Sequence, residues 1–324
     1  MPADVHSLVI DTDGGTDDAV ALWWALTEPR VEVAAVVVTW GNVTRETAAT
    51  NVCRILHAAG RPEVPVSVGA SQALGPTPLP ELATFVHGDD GLGGFGHRWA
   101  TGEIILCDEP ANELLSRLMH ERPGELDLVT IGTLSSLASA LAADPDIAPR
   151  ARSLTVMGGT VRGPGNALPF GESNIAHDPR AAAAVVTADW SMPPLLVGLD
   201  VTLRAVLHDE DVELAAEGRT PAGRFLADPL RVYADFYGRS RQTPPNSFAC
   251  HDLLALLAVV EPAVILDAAT VPLAVDTGES AAWGATIADF RATEQFGRPG
   301  FAPWRVALDA DVDRFRAAFR SLVG

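Results

Sequence analysis

No lysine occurs anywhere in the 324 residues, so all 23 basic side chains are arginines. That absence excludes mechanisms built on a Schiff-base lysine or on a lysine that grips phosphate. Positive charge is scarce altogether: 42 acidic residues against 23 basic ones give a formal net charge of −19. An excess of that sign repels phosphate backbones and anionic lipid headgroups, so neither nucleic acid nor a membrane surface is an expected partner. Cysteine is also sparse. Cys53, Cys107 and Cys250 are odd in number, far apart and without CxxC spacing, which reads as reduced, buried thiols rather than a disulfide framework or a zinc site. No apolar run reaches the roughly 18 residues of a membrane-spanning helix. Met1–Ser7 carries neither the basic stretch nor the long apolar stretch of a secretory leader. The expectation is a soluble, cytoplasmic protein.

What the chain does have is a rhythm. Short apolar runs at Leu8–Ile10, Val31–Val38, Leu126–Ile131, Leu154–Met157 and Leu195–Val197 read as buried parallel strands. Between them, Asp17–Leu26, Thr47–Ala59, Leu134–Leu141 and Pro179–Val186 place Ala, Leu and Val at helical spacing. This alternation predicts an α/β fold, an open, mostly parallel, doubly wound sheet flanked by helices. Thr16 is in position to cap a helix beginning at Asp17. Gly- and Pro-rich stretches at Gly69–Pro80, Gly88–Gly96 and Gly163–Gly171 are longer than simple βα turns, and the expectation is that they are functional loops at the C-terminal ends of the strands. No Ser/Gly linker and no recurrent period divides the chain, so residues 1–324 are expected to form a single domain.

The turn after the first run is Asp11-Thr-Asp13-Gly-Gly-Thr-Asp17-Asp18, four carboxylates within eight residues. In an open parallel sheet, ligands bind at the carboxyl ends of the strands. Carboxylates crowded there need a cation to offset their repulsion, and a hard cation suits an all-oxygen donor set. The bland reading of such a turn is a helix cap and a solvated loop. The stretch partly resembles the DxDGT turn of haloacid-dehalogenase-type phosphatases, but the lysine that steadies phosphate there is missing. An EF-hand is excluded because the acidic spacing does not continue and no Glu closes the loop.

Extended by the next four residues, the turn reads DTDGGTDDAVAL and resembles the N-terminal signature of the inosine-uridine-preferring nucleoside hydrolase family, DxDPGxDDAxA, with Gly14 in place of the proline. The resemblance continues in order through Val38–Asn42, His87–Gly91, Met157-Gly-Gly, Gly165-Asn166, Gly171–Ile175, Leu199–Thr202 and His251-Asp252, nearly the whole chain. It implies calcium-dependent hydrolysis of the N-glycosidic bond of ribonucleosides, with water delivered by the ion. It implies Asp13, Asp18 and Asp252 as side-chain ligands of Ca²⁺ and the carbonyl of Ile131 as a further one, although the family's usual LTN reads Leu134-Ser135-Ser136 here. Asp13 is then the general base and His251 the general acid that protonates the leaving base. Leu253 replaces the usual proline after that pair. Asp17, Asn42, Asn166, Glu172 and Asn174 match positions that hold the ribose hydroxyls, and Met157 a position beneath the sugar.

The side chains themselves leave choices open. His87 reads equally as a wall of the base pocket and as a surface histidine, and Met157 ends a strand, where methionine is core by default. Phe170, Tyr233, Tyr237, Trp40 and Trp99 either stack on a base or simply pack. The resemblance points to both purine and pyrimidine ribonucleosides as substrates, because His251 looks like the broader-specificity group, and to a homodimer or homotetramer. Two other readings stand beside it: a hydrolase of another ribosyl compound on the same scaffold, and a catalytically silent nucleoside- or calcium-binding protein.

Overall fold

The computed structural model describes residues 5–79, 82–102, 106–291 and 299–324; Pro80, the end of one expected loop, lies outside them. The strands in chain order are β1 (His6–Thr12), β2 (Val31–Val38), β3 (Val66–Val68), β4 (Leu126–Thr130), β5 (Ser153–Met157), β6 (Leu195–Val197), β7 (Val206–His208), β8 (Ser247–Ala249), β9 (Ile265–Val275), β10 (Thr286–Ala288) and β11 (Ala302–Ala310). Nine of them form one sheet in the order β10-β9-β11-β6-β5-β4-β1-β2-β3. Pairing is parallel from β3 across to β11, and only the β11–β9 and β9–β10 pairs are antiparallel. This is the α/β, mostly parallel, doubly wound sheet that the sequence predicts.

The central strands are apolar throughout because both their faces are covered. In β1, Leu8 and Ile10 enter one hydrophobic cluster with the helices Thr16–Thr27, Arg45–Ala58, His251–Val260 and Val312–Val323. Val9 enters the other, with Ala111–Glu121, Ser135–Ala143 and Pro179–Val186. Trp23 of the first helix packs its ring 5.0 Å from Phe225 of the long helix Pro221–Ser240. Truncating a buried aromatic of that kind costs about 3–5 kcal/mol, so this contact ties the first helix firmly to the late one.

The strand order fixes where a ligand site can form. The chain runs outward from β1 to β2 and β3, then returns to the other side of β1 as β4. The helices that follow β1 and β4 diverge to opposite faces, which opens a crevice at the carboxyl ends of these two strands.

Two expectations are corrected here. Thr16 does not cap the first helix. The helix starts at Thr16 and Gly15 holds the cap position, where its N–H donates to Asp18 Oδ2 (2.9 Å). An acid three residues into a helix reaches back to that N–H more readily than Thr16 can, and the Thr16 hydroxyl donates instead to Gly91 O (3.3 Å). Nor does Asp11 join the acidic turn. It lies on the Val9 side of β1, among Val9, Val37, Leu115, Leu128 and Leu137, and neither carboxyl oxygen has a hydrogen-bond partner among the described residues.

Candidate active site

The crevice is built first by the turn between β1 and its helix. Asp18 is clamped in place: Thr12 Oγ1 and the Asp13 N–H (3.2 Å) donate to its Oδ1, and the Gly15 N–H (2.9 Å) and Asn42 Nδ2 (3.0 Å) to its Oδ2. Asn42, from the loop after β2, also fixes Asp13, donating from its backbone to Oδ2 (2.9 Å) and from its side chain to Oδ1 (2.8 Å). Gly41 makes this approach possible, because a Cβ there would run into Asp13 Oδ2.

The second half arrives from far along the chain. The antiparallel pair β7–β8 leads directly into the helix His251–Val260, every residue of which is buried. Its first turn delivers Asp252, and one oxygen each of Asp17, Asp18 and Asp252 lie within 4.8 Å of one another. At an effective dielectric near 20, two unit charges at about 4.8 Å repel by roughly 3–4 kcal/mol. The carboxyls respond accordingly. Burial, then the Asp18 charge, pushes Asp17 up to about 7. Burial first pushes Asp13 and Asp252 well above the usual range as well, with Asp18 and Asp17 respectively the next cause. Asp252 Oδ1 is buried with no hydrogen-bond partner among the described residues. Oxygen donors, crowded like charge and an orphaned carboxylate oxygen together fit a hard cation. The geometric cluster contains Asp17 where the sequence expectation has Asp13; Asp18 and Asp252 are common to both.

A cavity of about 260 Å³ opens above this cluster, and Asp17, Asn42, His87, Ile131, Met157, Asn166, Glu172, Asn174, His251 and Asp252 all line it. Asp13 and Asp18 lie just beneath, both buried. Asn166 Oδ1 accepts from the Ser173 N–H (2.9 Å), which leaves its NH₂ and one Oδ1 lone pair for a ligand. Asn174 Nδ2 donates to the Ile131 carbonyl (2.9 Å) and the Met157 carbonyl (3.2 Å), and the Ile131 oxygen keeps a second lone pair. Glu172 caps the short helix Ser173–His177 and accepts from the N–H groups of Gly159 (2.9 Å), Asn174 (3.0 Å) and Ile175 (3.3 Å). Burial nevertheless pushes its carboxyl up to about 7.

Two histidines stand over the acids. His87 is buried, not a surface residue: its ring stacks on Tyr233 (5.2 Å) and its Nδ1 accepts from the Thr16 N–H (3.1 Å). That bond leaves the proton of the neutral ring on Nε2. His251 is held between Thr202 Oγ1 on Nδ1 (2.7 Å) and Tyr237 Oη on Nε2 (2.6 Å). Burial holds His87 down to about 3 and His251 down to about 4, so both are uncharged imidazoles near neutral pH.

Of the aromatics singled out in the sequence, Tyr233 and Tyr237 line the cavity. Trp99 packs on Phe225 (4.8 Å), Trp40 donates to Ser135 Oγ (3.2 Å), and Phe170 is exposed. Sequence reasoning missed Phe85 and Phe236, whose rings meet edge to face (6.0 Å) on the same lining. It also missed the contact between Tyr237 and His251. The spacing of Tyr233 and Tyr237 on one helix face was its only available signal.

The family model described as inosine-uridine preferring nucleoside hydrolase matches residues 8–317. Among curated proteins, a probable uridine nucleosidase 2 of Oryza sativa subsp. japonica is 33% identical over 264 residues, 81% of this chain and 76% of that one. The non-specific ribonucleoside hydrolase RihC of Salmonella newport (strain SL254) is 32% identical over 317 residues, 98% of this chain and 96% of that one. Among solved structures, the plant nucleoside hydrolase PpNRh1 superposes with a TM-score of 0.89 at 30% identity and covers 98% of each chain. This chain therefore belongs to the inosine-uridine preferring nucleoside hydrolases, hydrolases that act on N-glycosyl compounds.

Proposed function

We propose that the protein hydrolyses the N-glycosidic bond of ribonucleosides to ribose and free base, that it does so with Ca²⁺, and that it takes both purine and pyrimidine bases. The observation that carries this reading is the polarity of one cavity. Acids and amides gather at the β1–β4 crevice, while Tyr233, Phe236 and Tyr237 form an aromatic wall. A sugar with its hydroxyls suits the first end and a flat base the second.

Asp13, Asp18 and Asp252 would hold the ion through their side chains and Ile131 through its carbonyl. Bound there, Ca²⁺ supplies a fixed positive charge that offsets the crowded carboxylates and favours ionisation of a neighbouring water. Asp13, oriented through both oxygens by Asn42, accepts the proton of the attacking water. Asp17 and Glu172 accept from ribose hydroxyls and favour the positive charge that develops on the ring. The Asn166 NH₂ and the Oδ1 atoms of Asn42 and Asn174 complete the hold on the sugar, over Met157. His251, hydrogen-bonded to Tyr237 (2.6 Å), acts as the general acid: the departing base takes its proton, and the pair regains one from solvent after the base has left.

Breadth of base is supported by the generic character of the aromatic wall. It is supported too by a matching relative named as a non-specific ribonucleoside hydrolase. With this reading go a single domain over residues 1–324, a cytoplasmic location and a homodimer or homotetramer.

The deciding experiment measures free base and ribose released from inosine, uridine, cytidine and adenosine, with and without prior chelation. Release that stops on chelation and returns with Ca²⁺ supports the reading; no release from any of the four with Ca²⁺ present overturns it.

A further inference from the structure

The aromatic wall of the cavity belongs to the helix Pro221–Ser240, which the chain leaves at Arg241 in the left-handed conformation (φ 57°). That reversal brings Gln242 onto the lining of the same cavity. The turn is braced, with Thr243 Oγ1 donating to Ser247 O (2.7 Å) and Ser247 Oγ to Pro244 O (2.7 Å). Gln242 uses its backbone N–H on Ser240 Oγ (3.4 Å). Its side-chain carboxamide makes no hydrogen bond with the described residues.

Several other polar atoms lining the cavity are already engaged. Tyr237 Oη is on His251 (2.6 Å), the Tyr233 hydroxyl is on Asp17, and His87 Nδ1 is on the Thr16 N–H (3.1 Å). A carboxamide carries a donor and an acceptor on one plane, and rotation exchanges them. Uracil and hypoxanthine offer ring carbonyls at their edges, whereas cytosine and adenine offer an amino group.

We propose that Gln242 is the residue that reads the nucleobase edge, giving its NH₂ to keto bases and its C=O to amino bases. The inference rests on the nucleoside-hydrolase reading above. It accounts for one cavity serving both kinds of base: an uncommitted amide turns over, where a fixed donor or acceptor would select one kind.

The test compares wild type, Gln242→Leu and Gln242→Glu on uridine, inosine, cytidine, adenosine and p-nitrophenyl riboside, whose leaving group has neither ring carbonyl nor amino group. Gln242→Leu is expected to lower the ratio of nucleoside to nitrophenyl-riboside kcat/KM roughly ten-fold, as for one lost hydrogen bond. Gln242→Glu, which only accepts, is expected to move the ranking toward cytidine and adenosine. An unchanged ranking in both variants, or an equal fall on the nitrophenyl riboside, overturns the inference. Wild type that cleaves none of the five substrates overturns the hydrolase reading and this inference with it. Wild-type turnover with unaltered ranking in the variants overturns this inference alone.

Discussion

The hydroxyl of Tyr237 lies 2.6 Å from Nε2 of His251, and both residues are buried on the cavity lining. Burial holds the imidazole down to about 4, so a charged imidazolium is a rare species at neutral pH. Tyr237→Phe keeps the ring and removes the hydrogen bond. Its kcat on inosine is expected to fall about 10²-fold, at the lower end for loss of a general acid, while turnover of p-nitrophenyl riboside, whose leaving group needs no proton, falls much less. Parallel losses on both substrates would contradict the assignment.

Asp13 is held by two hydrogen bonds from Asn42. Asp13→Asn preserves size and removes the proton acceptor. Turnover should drop by about 10³-fold or more, with far-UV circular dichroism and Tm close to wild type. Retention of more than a tenth of wild-type kcat would remove Asp13 from the role of base.

Gly41 tests the same carboxylate from its other side. A methyl group there would be driven into Asp13 Oδ2, so Gly41→Ala should misdirect the base. We expect kcat to fall about 10²-fold, as for a 1 Å misplacement, with KM much less affected. A variant as active as wild type would show that the loop yields freely.

The stability of cation-free protein should depend on pH in a definite direction. Burial lifts the folded-state pKa of Glu172 and Asp17 to about 7, so between the ordinary carboxylate range and about 7 the folded chain binds more protons than the unfolded one. Stability from these groups is present at low pH and lost as pH rises through that window. His87 and His251, held down to about 3 and about 4 by burial, act in the opposite sense, but only below the ordinary histidine value near 6.5. Above that value the carboxyls alone set the slope. In chelator, Tm should fall from pH 6.5 to about 7.5 and level off above it, and Ca²⁺ should restore it most at the higher pH. A Tm in chelator that rises over this interval would argue against the buried acidic cluster.

Much of this was legible in the sequence where burial is symmetrical. Val31–Val38 and Leu195–Val197 keep their expected bounds because strands covered on both faces must be apolar throughout. The end of the chain was not read. Strand β9 mixes exposed and buried positions, and the helix Pro221–Ser240 carries Pro229 inside it, which obscures the helical signal. Asp11 was misassigned by its nearness in sequence to Asp13. Strand alternation sends it to the side of Val9, and the acidic turn begins only after β1 ends at Thr12. Tyr237 and His251 meet through two separate elements, and no pattern within either one announces the pairing.

The buried helix His251–Val260 packs against Thr16–Thr27 and brings Asp252 to the acids of the first turn. In time as well as space, the two halves are far apart. A growing chain exposes the N-terminal acids early and carries them as mutually repelling charges until Asp252 has been synthesised and its helix has docked. The three-acid cluster therefore cannot form before Asp252 has been made, and fragments ending before residue 251 should lack it. The cluster thus reports on assembly: its three carboxyls come together only in a chain whose first turn and late helix have met.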